Sequence, residues 1–220
     1  VLMPIGNDCF HVDNLENKTT RGTPQDADGR YGKIFATGAM ACVRMIEELC
    51  QIAPVDLLWV PGNHDAVASY HLVMFLEAWF RNCDRVTTDI TKTLRTRKYY
   101  PFGPTVIGFT HSDKEKKKDL PAIMLHEARK MMATRRTLEI HTGHRHKEDM
   151  TIYTNTDTHA GGVIVRTLPS LSATDAWHAE SGYVGSMRAA EAYLYSEVAG
   201  YVAHFSAPVQ EDIITQPKRI

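Results

Sequence analysis

No run of about 18 or more uncharged apolar residues occurs in this 220-residue chain, so no segment reads as a membrane-spanning helix. A secretory leader pattern is missing as well. Neither sign of charge is in excess: 25 Lys and Arg against 26 Asp and Glu leave a formal net charge of -1. That balance excludes a global electrostatic footprint for nucleic acid or an anionic membrane and leaves only local patches. Cysteine is sparse. Cys9, Cys42, Cys50 and Cys83 form no CxxC pair and no small secreted framework, which predicts buried thiols in a reducing, cytoplasmic compartment. Repeats, low-complexity tracts and Pro/Gly/Ser-rich linkers are absent too. Residues 1–220 therefore read as a single domain, large enough to bury a core without disulfide or metal staples.

Histidine is abundant, at 11 residues, and the secondary-structure pattern shows where the histidines fall. Residues 1–5 are an apolar run stopped by Gly6, a buried strand feeding a polar loop that reaches about residue 30. Loops of that length in a compact domain are usually functional or mobile. Apolar residues then recur at Phe35, Ala39, Cys42, Val43, Ile46, Leu49 and Cys50, which predicts a helix over 31–53 ended by Pro54. A strand over 55–60, a helix over 66–82, a strand over 105–110, a helix over 120–133 and a strand over 138–142 follow. Further strands are expected over 150–154, 163–168, 192–196 and 201–205. Alternation of strand and helix followed by mostly strand predicts an α/β layered domain whose sheet region is extended by antiparallel strands.

The residues able to do chemistry gather at strand ends. Gly62-Asn63-His64-Asp65 follows the strand over 55–60. An Asn oxygen can ligate a metal, a neighbouring His can act as an acid or hold a phosphate oxygen, and a following Asp can orient the imidazole. The same residues after Pro61 also make an ordinary turn. Gly143-His144-Arg145-His146 follows the strand over 138–142. In a turn its two imidazoles can address one bimetal centre, and the bland reading is a solvated polar loop. His111 closes the strand over 105–110, where a lone His is usually structural. Gly6-Asn7-Asp8 closes the first strand, and its carboxylate either bridges two hard cations or makes an Asx-turn. Each signal alone has a bland reading. Together they are four strand ends bearing Asp, Asn or His, and the C-terminal ends of strands in an open α/β sheet lie side by side.

In this order the blocks resemble those of the calcineurin-like metallophosphoesterases, which run D-x-H, G-D, G-N-H-D/E, a lone His and G-H-x-H. Gly6-Asn7-Asp8 is similar to the second block with an inserted Asn, and Gly62 to Asp65, His111, and Gly143 to His146 are similar to the next three. The resemblance covers about residues 1–150. Asp8-Cys9-Phe10-His11 is similar to a run in the SbcD-type DNA-repair nucleases of that family, and residues 21–26 (RGTPQD) and 168–178 (LPSLSATDAWH) resemble a phage and prophage branch. The resemblance implies a layered α-β-β-α sandwich of mixed sheets and, for a phage protein, the host cytoplasm. The D-x-H block is absent and Val1 is not an initiator Met, so the first strand and first metal block are expected upstream of residue 1.

Carried over by resemblance, Asp8 bridges two divalent ions, Asn63, His111 and His144 complete the second, and His146 binds the first. His64 protonates the leaving group or steadies the phosphoryl oxygens, with Asp65 holding its ring. This donor mix suits Mn²⁺, with Fe or Zn²⁺ as alternatives, better than Mg²⁺. His11, Arg145 and His178 are candidate substrate contacts, with Asp175 beside the last. Asp13 and Asn14 either support Asp8 or, the stronger reading, make a simple turn, and His141 reads as structural. Two basic runs, Lys114 with residues 116–118 and Arg95 with Arg97 and Lys98, are either a phosphate-tracking surface or a solvated face. The implied activity is dinuclear-metal phosphoester hydrolysis through a metal-bridging hydroxide, acting on a phosphodiester, DNA included. Two alternatives stand beside it: a phosphomonoesterase acting on proteins or nucleotides, and a non-catalytic scaffold that kept the fold and lost the first metal.

Overall fold

The computed structural model describes residues 1–27, 29–88, 94–145, 149–153, 162–171 and 188–209. Among these it is a mixed α/β protein with four α-helices and three sheets. The order is β1 (Leu2–Gly6), α1 (Tyr31–Ile52), β2 (Val55–Val60), α2 (Ala66–Trp79), β3 (Val86–Thr88), β4 (Lys98–Phe102), β5 (Thr105–Thr110), α3 (Leu120–Glu127), α4 (Arg129–Met132), β6 (Thr137–Thr142), β7 (Asp149–Tyr153), β8 (Val163–Thr167), β9 (Ala189–Ser196) and β10 (Gly200–Pro208). No described helix is long and apolar enough to cross a membrane.

One sheet has the order β1-β2-β3, all parallel. The larger sheet has the order β4-β5-β6-β8-β7, in which β5, β6 and β8 are parallel and the two edge strands antiparallel. Three apolar clusters hold these elements together. Ala39, Val43 and Ile46 of α1, one helical face, pack with Leu72 and Leu76 of α2 against Ile5, Leu57 and Trp59 of the smaller sheet. Leu120 and Met124 of α3 and Met132 of α4 pack against Val106, Leu138, Ile140 and Val165 of the larger sheet. Between them, Leu58 and Val60 of β2 meet Ile107 and Phe109 of β5, so the two sheets touch. β2 and β5 are buried almost throughout, as strands covered on both faces must be, which explains their nearly unbroken apolar runs.

The structure corrects several expectations. The helix over 120–133 is two helices, broken at Ala128. β8 runs parallel to β6 and is inserted between it and β7, and β9 with β10 forms a separate antiparallel hairpin instead of extending the sheet. All four cysteines are free, but none is fully buried and Cys9 is exposed.

The hairpin rests on a polar network. Glu139 of β6 is 2% exposed and its Oε1 accepts from Arg166 Nε at 2.5 Å, with His141 Nε2 at 3.1 Å. His141 reaches the Tyr195 hydroxyl at 3.3 Å and meets the Tyr193 ring edge-on. Burial opposes the charge on Glu139, but its bonds to His141 and Arg166 outweigh it and hold the carboxyl below its usual range. A folded-state value below the unfolded one stabilises the fold above the ordinary Glu range, and that stability is lost as pH falls through the lower value. Glu139→Gln is therefore expected to cost about 3 kcal/mol at pH 7 and to flatten the acid decline of Tm, measured by circular dichroism between about pH 7 and pH 3. An unchanged acid limb would show that Glu139 is not a source of that decline.

Candidate metal centre

Strand register decides which side chains meet. Gly6 pairs with Val60 across β1 and β2, and Thr110 with Thr142 across β5 and β6, so each parallel pair ends level. Just past those ends lie Asn7 and Asp8, the 61–65 turn, His111 and His144. Four of the five described non-glycine residues with positive φ are here: Asn7 at 60°, Asp8 at 62°, Ser112 at 68° and His144 at 69°. Left-handed backbone costs on the order of 1–2 kcal/mol per residue and persists where surrounding contacts over-determine it. Two glycines permit the crowding. A Cβ on Gly62 would stand 1.9 Å from Asp8 Oδ1 and 2.4 Å from the Asp8 amide nitrogen, and one on Gly143 would stand 2.5 Å from Asn7 Oδ1.

Asp8, His111 and His144 bring ligand atoms within 4.8 Å of one another. His111 is surrounded by oxygens on both sides of its ring. Its Nδ1 lies 2.7 Å from Asn7 Oδ1, and its Nε2 lies 2.7 Å from Asn63 Oδ1 and 2.9 Å from Asp8 Oδ2. A neutral imidazole carries one N–H. With Nδ1–H donating to Asn7, the Nε2 lone pair faces two acceptor oxygens, which a proton or a cation reconciles; with Nε2–H donating to Asp8, the Asn7 amide turns its NH2 to Nδ1 and the ring is satisfied without an ion. Amide oxygen, carboxylate and imidazole nitrogen are together the donors of a borderline divalent ion, so these residues fit such a metal. The His144 ring stands edge-on to that of His111, with centroids 5.0 Å apart.

The electrostatics agree with that donor set. Burial opposes the charge on Asp8, but His111 and the His64 amide, which donates to Asp8 Oδ1 at 2.8 Å, hold its carboxyl below the usual range. Burial and the neighbouring His111 push His144 down, favouring the neutral ring that a metal requires. Asp65 is fully buried, and burial raises its carboxyl to about 6.

Asp65 does not hold the His64 ring as expected. Its Oδ2 accepts from the Phe10 amide at 3.0 Å and from Cys9 Sγ at 3.3 Å, and Oδ1 has no hydrogen-bond partner among the described residues. It is a clasp for the loop after β1. Asp13, expected in a simple turn, caps α2 instead: its carboxylate accepts from the Val67 and Ala68 amides, and Thr20 Oγ1 accepts from the Ala66 amide. Asn14 does make the Asx-turn, accepting from the Glu16 and Lys18 amides. These bonds seat the long loop on the GNHD turn.

His11 lies beside His64, ring centroids 5.5 Å apart, and both are half-buried. Arg145 is exposed directly after His144. His146, Asp175 and His178 lie outside the described residues. Two residues of the second basic run are engaged within the fold: Arg97 is paired with Glu115 and Glu127, and Lys98 is 2% exposed with its ammonium 5.6 Å from the Trp59 ring centre, while Arg95 is exposed.

Asn7 is the site residue that sequence reasoning missed. Its signal was an amide directly beside the expected bridging carboxylate. As the residue set 2.7 Å from His111 Nδ1, it is expected to matter to any bound ion: Asn7→Ala should weaken Mn²⁺ affinity by about 10–100-fold, measured by isothermal titration calorimetry. Wild-type affinity would remove Asn7 from that role. Comparison of the chain with protein-family models, with curated proteins and with solved structures returns no match.

Proposed function

We propose that this chain is a phosphodiester hydrolase that works with a pair of divalent cations, DNA being among its substrates. The observation that carries the reading is the oxygen-lined Nε2 face of His111, where Asp8 and Asn63 present acceptors at 2.9 and 2.7 Å with His144 alongside. Helices packed on each of two touching sheets support it, in keeping with the sandwich that the motif resemblance implies. Asp8, Asn63, His111 and His144 would hold one ion, with His146 offered to the other by resemblance. Bound divalent ions supply Lewis acidity, which lowers the pKa of water and neutralises phosphate oxygens. The chain does the rest. His64, half-buried beside His11, donates a proton to the departing ester oxygen. Asp8 anchors the His64 backbone by accepting a hydrogen bond from its amide N–H, so metal ligand and acid move as one unit.

With Mn²⁺ added, bis-p-nitrophenyl phosphate is the expected substrate, hydrolysed faster than p-nitrophenyl phosphate. Preference for the monoester would redirect the reading to a phosphomonoesterase, and failure on both, with metal bound, would contradict hydrolysis.

A further inference from the structure

Beside the metal ligands a cleft of about 120 Å³ opens, with Asn63 and His111 in its wall. Pockets for drug-sized ligands start near about 300 Å³, so this one suits a single small polar group. Its remaining wall is charged. Arg21 reaches it from the long loop and pairs with Asp113 at 3.1 Å, its side chain still 64% exposed. Glu115 is taken up by Arg97. Lys114 lines the same cleft, is exposed, and has no ion-pair partner among the described residues. The acidic wall groups are thus neutralised from within, which leaves one ammonium and the spare guanidinium N–H groups of Arg21 facing the opening.

We propose that this cleft is a subsite for a second phosphate of the substrate, held by Lys114 and Arg21 while the scissile phosphate lies at the Asp8–His111 site; the assignment rests on the hydrolase reading for which phosphate is cut. The preferred substrate class is then a compound with phosphates in series, an oligonucleotide or a nucleoside polyphosphate, bound more tightly than an isolated diester such as bis-p-nitrophenyl phosphate. The cation pair reads phosphate alone, so it is blind to base sequence. The Arg21–Asp113 pair also ties the loop after β1 to the segment after β5, which places the subsite at a fixed offset from the metal ligands.

The test is binding without turnover. Fluorescein-labelled hexathymidylate is titrated against the full chain in Ca²⁺, and anisotropy is read at several salt concentrations. Lys114→Gln is expected to raise Kd about five- to tenfold and to reduce the slope of log K against log salt by about 0.7, the value for one single-strand phosphate contact. Arg21→Gln should weaken binding further, because it also leaves the Asp113 charge uncompensated in the cleft. Lys130→Gln, an exposed lysine on α4, serves as the comparison for a general loss of charge. Tripolyphosphate separates the two sources: displacing the oligonucleotide from wild type while binding more weakly to Lys114→Gln supports a subsite for polyphosphate, and displacement by oligonucleotides alone supports the nucleic-acid strand. Equal losses in Lys114→Gln and Lys130→Gln, or an unchanged salt slope, would overturn the subsite. The outcome stands apart from the hydrolase reading, since the same proteins can bind phosphates in series and still fail to cleave bis-p-nitrophenyl phosphate.

Discussion

Asp8→Ala is expected to abolish Mn²⁺ binding and diester hydrolysis together, with affinity falling by about 100-fold or more. Asp8 is the only carboxylate in the described ligand cluster. It touches two other site residues, His111 through Oδ2 at 2.9 Å and the His64 amide through Oδ1 at 2.8 Å. Removing it takes the negative charge from an imidazole-rich site and unpins the turn that carries the acid. Second-sphere partners of metal ligands are worth about 10–100-fold in affinity, and a ligand should exceed that range. Asp8→Asn separates charge from shape: its amide oxygen can still accept from the His64 amide, so the fold is kept while the ion is lost. Calorimetric titration with Mn²⁺ beside a bis-p-nitrophenyl phosphate assay reads both effects. Tight Mn²⁺ binding by Asp8→Asn would remove Asp8 as a ligand.

His64→Ala should have the opposite signature. Turnover is expected to fall by about 10²–10⁴-fold, the usual worth of a positioned acid, while Mn²⁺ affinity stays close to wild type. The split follows from the geometry: His64 binds Asp8 through its main-chain N–H, which alanine retains, and its ring lies toward His11. An unchanged rate would show that another group protonates the leaving oxygen. A lost rate with lost metal would make His64 a ligand instead.

Much of this arrangement is legible in the sequence because its strands are buried on both faces. β2 and β5 lie within the residue ranges their apolar runs suggest, and α1 follows its helical stripe to within a residue of its end. The strand-end positions of Asp8, Asn63, His111 and His144 follow from those boundaries. What the sequence hid depends on partners far away in the chain. β3 is three residues long and earns its place only by pairing with β2. β4 begins with the buried Lys98 and includes Pro101, a poor strand signal tolerated because this strand is an edge. Arg97 reads as surface charge until Glu115 and Glu127, 18 and 30 residues away, arrive beside it. Asp65 misleads for the same reason. Adjacency to His64 suggests a hydrogen bond, yet its carboxylate turns into the interior toward Phe10, 55 residues earlier. Asn7 reads as an insertion because its importance is to His111, 104 residues later.

The most direct test is anomalous diffraction from crystals of the full chain grown or soaked in Mn²⁺, recorded near the manganese edge. A metal pair predicts two strong peaks, one of them within bonding distance of Asp8 Oδ2, His111 Nε2 and Asn63 Oδ1, with His144 turned toward it. Full-occupancy manganese elsewhere, with Asp8 and Asn63 still hydrogen-bonded to His111, would contradict it.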